Sequence, residues 1–400
     1  MSKYPKQEFD YVIIGAGSSA IGLLFGLLEQ FKDKHVPFTV AVVERGHDEN
    51  DPTTRSPRDW YKAAHASNSN SAKQIPTTIT GRAMDLPIGK GLGGTSNINA
   101  CLCTSALDAD MDAWPKPWKD TIIPYSQYIQ SILKVNGAID VKEYESTENI
   151  LRLQEQIASL EISPQVTTMA VRGDDNSKID DFLRKNYYDG LLEPLLKRHP
   201  GLNRNLHWIL DTEVQRIILD DGNIAKGVIC SSLLDDTCSI YKIMALKEVI
   251  LCAGAIESPA LMLTSEIKVK GVGQHLRDQI LLSRTYLSKW KRNNHVSTSG
   301  ISGLGHLRHL KGKIGLFQIA IVDSTSVESI VPAALAMTVR KKWDLPPLST
   351  IFNPIMDIFF LILKGIIRFF ILYSPLGYIL RHFSTTVLIF LMVRNNWYVI

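Results

Sequence analysis

The sequence predicts a mixed α/β protein, α+β overall, in which a Rossmann-like layer is assembled from discontinuous segments and an incomplete antiparallel sheet follows. Three observations predict it. Residues 10–46 run strand, glycine turn, helix, strand. The order strand, glycine, helix returns much later in "EVILCAGAIESPALMLTS". Between the two, "NLHWILDTEVQRIILDDGNIAKGVIC" alternates like antiparallel strands.

Taken in order, "YVIIGAGSSA" is an apolar strand ending in a glycine turn. "AIGLLFGLLEQF" follows with Ile21, Leu24, Leu28 and Phe31 at helical spacing. "FTVAVVERG" supplies the second strand, and such a unit implies a parallel pair with a right-handed crossover. "HASNSNSAKQ" at 65–74 reads as a polar loop. "GKGLGGTSNINACLCT" at 89–104 puts four glycines in six positions, which marks backbone that must approach something closely. Cys101 and Cys103 alternate after it in a strand-like run. "DDGN" is a hairpin turn. "EVILCAGA" is a short strand, and "SPALMLTS" opens a helix with Pro259 in its first turn. Residues 280–350 begin a second layer, with "IGLFQIAIV" and "AALAMTVR" as strands.

The 400 residues, 45% of them apolar, are enough for two or three domains. A net charge of +4 with no basic block argues against a nucleic-acid partner. The five cysteines (101, 103, 230, 238 and 252) are scattered and lie mostly in apolar runs, which fits reduced thiols in the cytoplasm. The start runs into a strand by residue 11, so no secretory signal is expected. Residues 351–393 are the most apolar region. Asp357, Lys364 and Arg368 interrupt the first apolar run, and Ser374 and Pro375 follow it. A membrane span needs roughly 20 mostly apolar residues, so a buried or substrate-facing segment is the expectation. Membrane contact through 355–393 is the alternative.

The glycines carry the chemistry. Gly15, Gly17 and Ala20 form a G-x-G-x-x-A version of the dinucleotide fingerprint. The first glycine permits a tight turn, the second lets backbone NH groups reach a pyrophosphate, and the small third residue lets helix pack on strand. Glu44 ends the next strand, where a carboxylate can accept both ribose hydroxyl hydrogens. An acid there disfavours a 2′-phosphate, which leaves NAD or FAD.

With "GAGSSA", "VVERG" and "GKGLGGTSNIN" in this order, the sequence resembles the glucose-methanol-choline (GMC) oxidoreductase family of flavoproteins. "GAIESPALMLTS" matches a second family signature from Gly254 to Ser265. "GVGQHLRDQ" at 271–279 looks like the family's V-G-x-x-L-x-D-H, and "DAWPKPWKDTIIPYSQYIQSI" is similar to its tryptophan-rich connector and helix. The resemblance implies an FAD-binding domain over 1–280, with cap and connector insertions, and a partial substrate domain with an apolar tail over 281–400. It implies FAD held by Gly15, Ala16, Gly17, Ala20, Glu44, Arg45, Lys90, Gly93, Gly94, Thr95, Ser96, Asn99, Ala100, Val214, Ala253 and Gly254. Thr95, Ser96 and Asn99 are expected near the isoalloxazine edge, Lys90 near the phosphates, and the Val214 backbone at the adenine. Some family members tether flavin through a histidine at the position of Ile98; isoleucine cannot do this, so the FAD is expected to be non-covalent.

The activity that the resemblance implies is oxidation of a CH–OH donor by hydride transfer to flavin, with a small alcohol and an electron acceptor as partners. The family histidine that handles the hydroxyl proton lies in an H-P-x-G-T region, and nothing like it occurs before Ile400. His275 is displaced from the family position, which Gln279 occupies. His306 and His309, three apart on a possible helix face, lack a third ligand, so no metal is expected. Cys101 and Cys103 read as packing residues rather than nucleophiles. No catalytic residue is assigned. The alternative is a truncated, catalytically silent chain that binds or regulates.

Overall fold

The computed structural model describes residues 8–47, 55, 69–73, 85–99, 101, 103, 114–143, 155, 160–163, 165–172, 182–234, 239–276, 301–307 and 317–322. Backbone contacts divide the chain into two units, Met1–Asp278 with Ser297–Val322 and Gln279–Val296 with Asp323–Ile400. Every described residue belongs to the first.

The centre of that unit is a six-stranded sheet. Strand β1 (Glu8–Ile14) leads into helix α1 (Ser18–Glu29), and β2 (Val40–Val43) returns beside β1 in parallel, Tyr11 facing Val40 and Ile14 facing Val43. Helix α2 (Lys116–Val135) follows the tryptophan-rich connector, and the short α3 (Glu193–Arg198) precedes β3 (Leu206–Ile209). Strands β4 (Thr212–Leu219), β5 (Ala225–Ser232) and β6 (Ile240–Leu251) and helix α4 (Gly254–Thr264) complete the layer. The sheet order is β3-β2-β1-β6-β5-β4. Strands β3, β2, β1 and β6 run parallel, while β5 and β4 fold back antiparallel.

Side-chain parity sorts the core. Ile13, Val40 and Val42 face α1, whose Ala20, Ile21, Leu24, Phe25 and Leu28 are buried against them. Val12, Ile14, Ala41 and Val43 face the opposite side, with Ile217, Val228, Ile243 and Leu261. A strand covered on both faces has no polar side to show, which is why β2 reads simply VAVV with all four residues buried.

Several expectations are corrected. Strand β3 was expected in an antiparallel run, but it pairs in parallel with β2, Leu206 facing Val40. Only β4 and β5 form the hairpin around Asp220–Asn223, where the Asp220 carboxylate accepts from the amides of Gly222 and Ile224. Helix α1 ends at Glu29, so Phe31 lies in the following turn, packed edge-on against Phe38 at 5.5 Å. Helix α4 begins at Gly254, whose φ of +83° turns the chain directly out of the strand region, so Pro259 falls inside the helix. The polar stretch 65–74 contains a strand, Ser69–Lys73, paired with Asp85–Gly89. Cys101 has φ +60° and lies outside any strand.

Within 280–350, Phe317–Val322 forms the expected strand and pairs with Ile301–Leu307, which also pairs with Leu160–Ser163. His306 therefore sits on a strand instead of a helix; His309, "AALAMTVR" and the apolar stretch 355–393 lie outside the described residues. Among the described residues no helix is long and apolar enough to cross a membrane.

Candidate functional site

The carboxyl ends of β1, β2 and β6 meet at one point. The Cys252 amide donates to Ile14 O at 2.8 Å, and the Gly15 amide to Val43 O at 2.8 Å. In parallel α/β sheets ligands gather at this edge. Gly15 has φ +92°, and a Cβ there would stand 2.7 Å from Cys252 O, so strand packing alone demands glycine. Gly17 differs. Its φ of −74° suits any residue, and a Cβ would meet only Cys252 O, at 3.9 Å. Glycine at 17 therefore leaves space open at the amino end of α1. No side chain caps that helix, no acid lies in its first turn, and Ser18 and Ser19 are exposed. An uncapped helix start with a clear approach suits a phosphate anion.

The second glycine segment comes to this same place. Gly91, Gly93 and Gly94 have φ of +88°, +99° and +56°, and a 3₁₀ turn covers Gly94–Asn97. The Gly93 amide donates to Ala16 O at 2.9 Å, and Gly17 and Gly93 form a parallel bridge. A Cβ on Gly94 would lie 2.7 Å from the Gly17 Cα. The two backbones touch because neither carries a side chain there.

Glu44 joins them. It is buried; Oε2 accepts from the Ala16 amide at 2.8 Å, and Oε1 from the amides of Gly46 and Gly91, both at 2.9 Å. One carboxylate thus fastens β1, β2 and the second glycine segment. A carboxylate offers about four acceptor directions, and the three amides leave one open.

The remaining expected residues fall as follows. Ala16 and Ala20 are fully buried, and Ile98 is buried behind the second turn. Arg45 is paired with Glu257 of α4 at 3.0 Å. Lys90 is half-buried. Thr95 is exposed, and its hydroxyl accepts weakly from the Gly89 amide at 3.4 Å. The Ser96 hydroxyl is buried and donates to Gly93 O at 2.6 Å. Asn99 accepts from the Cys101 amide at 3.0 Å and from Arg184 at 2.6 Å, so Ser96 and Asn99 use their side chains inside the protein. Val214 lies on β4 opposite Cys230, Ala253 caps α4, and Gly254 has open space around it. Ala100 lies outside the described residues.

Sequence reasoning missed Arg184 and Asn186. Both are buried beneath the second turn, and Asn186 Nδ2 donates to Leu92 O at 3.1 Å and Asn97 Oδ1 at 2.7 Å. The available signal was a polar R-x-N embedded in "FLRKNYY", polar side chains among apolar neighbours. Burial pushes the nearby Cys101 thiol up to about 11, against the opposing pull of Arg184, and Cys230 to about 12. Neither thiol is a nucleophile at neutral pH.

Comparison with known proteins follows this geometry. The family described as GMC oxidoreductase matches residues 9–176 and 190–281, more than half of the chain. An oxygen-dependent choline dehydrogenase from Rhizobium johnstonii is 25% identical over 289 residues, covering 68% of this chain and 49% of that protein. A glucose dehydrogenase (FAD, quinone) from Drosophila pseudoobscura pseudoobscura is 21% identical over 391 residues, covering 87% and 58%. The chain spans about half the length of the curated relatives it matches. Among solved structures, a fungal aryl-alcohol oxidase aligns with TM-score 0.49 and 19% identity over 66% of this chain and 48% of that one. With its two glycine turns in contact and the family match running through both, the chain belongs to the GMC oxidoreductase family of flavoproteins.

Proposed function

We propose that this chain binds FAD non-covalently through a domain spanning 1–280 and acts as an oxidoreductase on CH–OH donors, with 281–400 contributing a partial substrate domain. The observation that carries the reading is the Gly17–Gly93 bridge at an uncapped helix start. The amino end of α1 and the backbone of Gly15–Gly17 would hold the pyrophosphate, with Lys90 near it. Gly93 and Gly94 would pass beside the flavin, and the open acceptor direction of Glu44 would take a ribose hydroxyl. Val214, Ala253 and Gly254 would line the same sheet edge. Bound flavin would supply an acceptor for hydride from the carbinol carbon, and with the hydroxyl proton released to water the product is a carbonyl. The partners are then a small alcohol and an acceptor, such as oxygen or a quinone, that takes the electrons onward.

The proposed compartment is the cytoplasm, supported by the free thiols of Cys101, Cys103, Cys230 and Cys252. Membrane association through 355–393 is the alternative, and carbonate extraction separates the two.

The purified chain is expected to be yellow and to release FAD on heating. Anaerobic addition of alcohols of graded length is expected to bleach it. Gly17→Val is expected to retain less than roughly a tenth of the flavin, because the side chain fills the phosphate approach. Its melting temperature should stay within about 2 °C of the parent, since the added Cβ meets only Cys252 O at 3.9 Å. Unchanged flavin content in that variant removes the assignment. Bound flavin that no alcohol bleaches would instead assign these residues to a binding or regulatory chain without turnover of its own.

A further inference from the structure

We infer that Arg184 and Asn186 are positioning residues: they clasp the second glycine turn from below and set affinity for the flavin half of FAD separately from the adenine-nucleotide half. The inference rests on the reading of this junction as a flavin site.

The second turn has little to hold itself. Three of its glycines have positive φ, and its 3₁₀ turn is four residues long, with the poorer hydrogen-bond geometry of that helix type. Its carbonyls at Ser96 and Asn99 need donors from elsewhere, and that of Leu92 takes one in addition to the turn's own Asn97. Asn186 supplies Leu92 O and also fixes the Asn97 side chain, whose Nδ2 in turn donates to Leu92 O at 3.0 Å and Lys90 O at 3.3 Å. The Tyr187 amide donates to the Ser96 hydroxyl at 3.3 Å. Arg184 donates from one nitrogen to the backbone carbonyl and the side-chain oxygen of Asn99, with a longer contact of 3.5 Å to Ser96 O. A Cβ on Gly93 would stand 2.8 Å from Asn186 Cγ, so the asparagine fills the place a side chain would occupy.

The clasp is itself anchored. Asn186 Oδ1 accepts from the Asp189 amide at 2.8 Å, and the chain then enters a π-helical turn, Tyr188–Leu192, that packs on α1. Such turns inside helices recur at functional sites. The first glycine turn uses none of these residues: its Gly15 amide donates to Val43 O at 2.8 Å and its Ala16 amide to Glu44 Oε2 at 2.8 Å.

Asn186→Asp tests the inference in the full chain. The substitution keeps volume and the acceptor for Asp189, and it replaces the donor that serves Leu92 O and Asn97 Oδ1 with a repelling oxygen. Loss of two buried hydrogen bonds predicts FAD binding weakened about tenfold or more, with ADP binding unchanged within about twofold. Without nucleotide, the Ser96 and Ile98 amides should exchange with deuterium about tenfold faster. Asn186→Ala removes the same donors without adding charge and should show the same split if the aspartate variant does not fold. Arg184→Lys keeps the charge but loses the planar guanidinium that reaches Asn99, and should fall between parent and Asn186→Ala. FAD and ADP weakened by one common factor, or FAD affinity and exchange both at the parent's level, would overturn the clasp. A parent chain that binds no FAD sinks the flavin reading instead, while the exchange rates still judge the hold on the turn.

Discussion

The two glycine turns meet at one bridge, yet they are built by different means. The first is seated on the sheet: Gly15 is confined by Cys252 O, its amide donates to Val43 O at 2.8 Å, and Gly17 opens onto the start of α1. The second is held from a distance, by Asn186 acting on Leu92 across 94 residues of sequence. A turn seated on the sheet is fixed by the strand ends that converge on it. A remotely held turn can be loosened by changing a residue that never enters the site.

Three substitutions grade this comparison. The largest effect is expected from Gly15→Val, which forces a β-branched residue to φ +92° and sets its Cβ 2.7 Å from a backbone oxygen. Strain and overpacking together should lower stability by more than about 3 kcal/mol, read from the denaturant midpoint. A variant of parental stability would show that the sheet edge does not confine the first turn. Glu44→Gln comes next. It turns one acceptor into a donor facing a backbone amide, and should cost about 2 kcal/mol while loosening both turns together. Deuterium exchange that quickens at only one turn would contradict the shared fastening.

The smallest effect is expected from Asp10→Asn, a control at the opposite end of β1. The Thr39 amide, then Lys247, hold the Asp10 carboxylate below its ordinary 3.8. A lowered folded value means that its stabilisation is complete above the unfolded value and fades as pH falls through the folded one. The deficit of the asparagine variant should therefore be complete at neutral pH, begin to shrink below about pH 4 and vanish only below the lowered folded value, by thermal melts across pH. Flavin content should match the parent at neutral pH. A flavin loss there would tie the far end of the strand to the site.

How much of this was legible follows from the same contrast. The first turn could be read because spacing, strand and helix all lie within residues 8–29. The glycines of the second turn could be read too, but not what holds them, since pairing of Asn186 with Leu92 leaves no periodic trace. Glu44 was recognisable as an acid at a strand end, whereas its three amide partners come from segments that only the fold brings together. Strand β3 misled because an alternating edge strand looks alike whether its neighbour runs with it or against it. The start of α4 misled because Pro259 drew the helix boundary toward itself, while Gly254 had already turned the chain.

Glu44 constrains redesign. Engineers who wish to change which coenzyme a protein prefers commonly exchange the acid at the tip of the second strand for a smaller or basic residue. Here that exchange would unfasten three stretches of chain at once. On the proposed reading, recognition and architecture share one side chain, so any switch of preference at this position has to begin with a replacement brace for the loops.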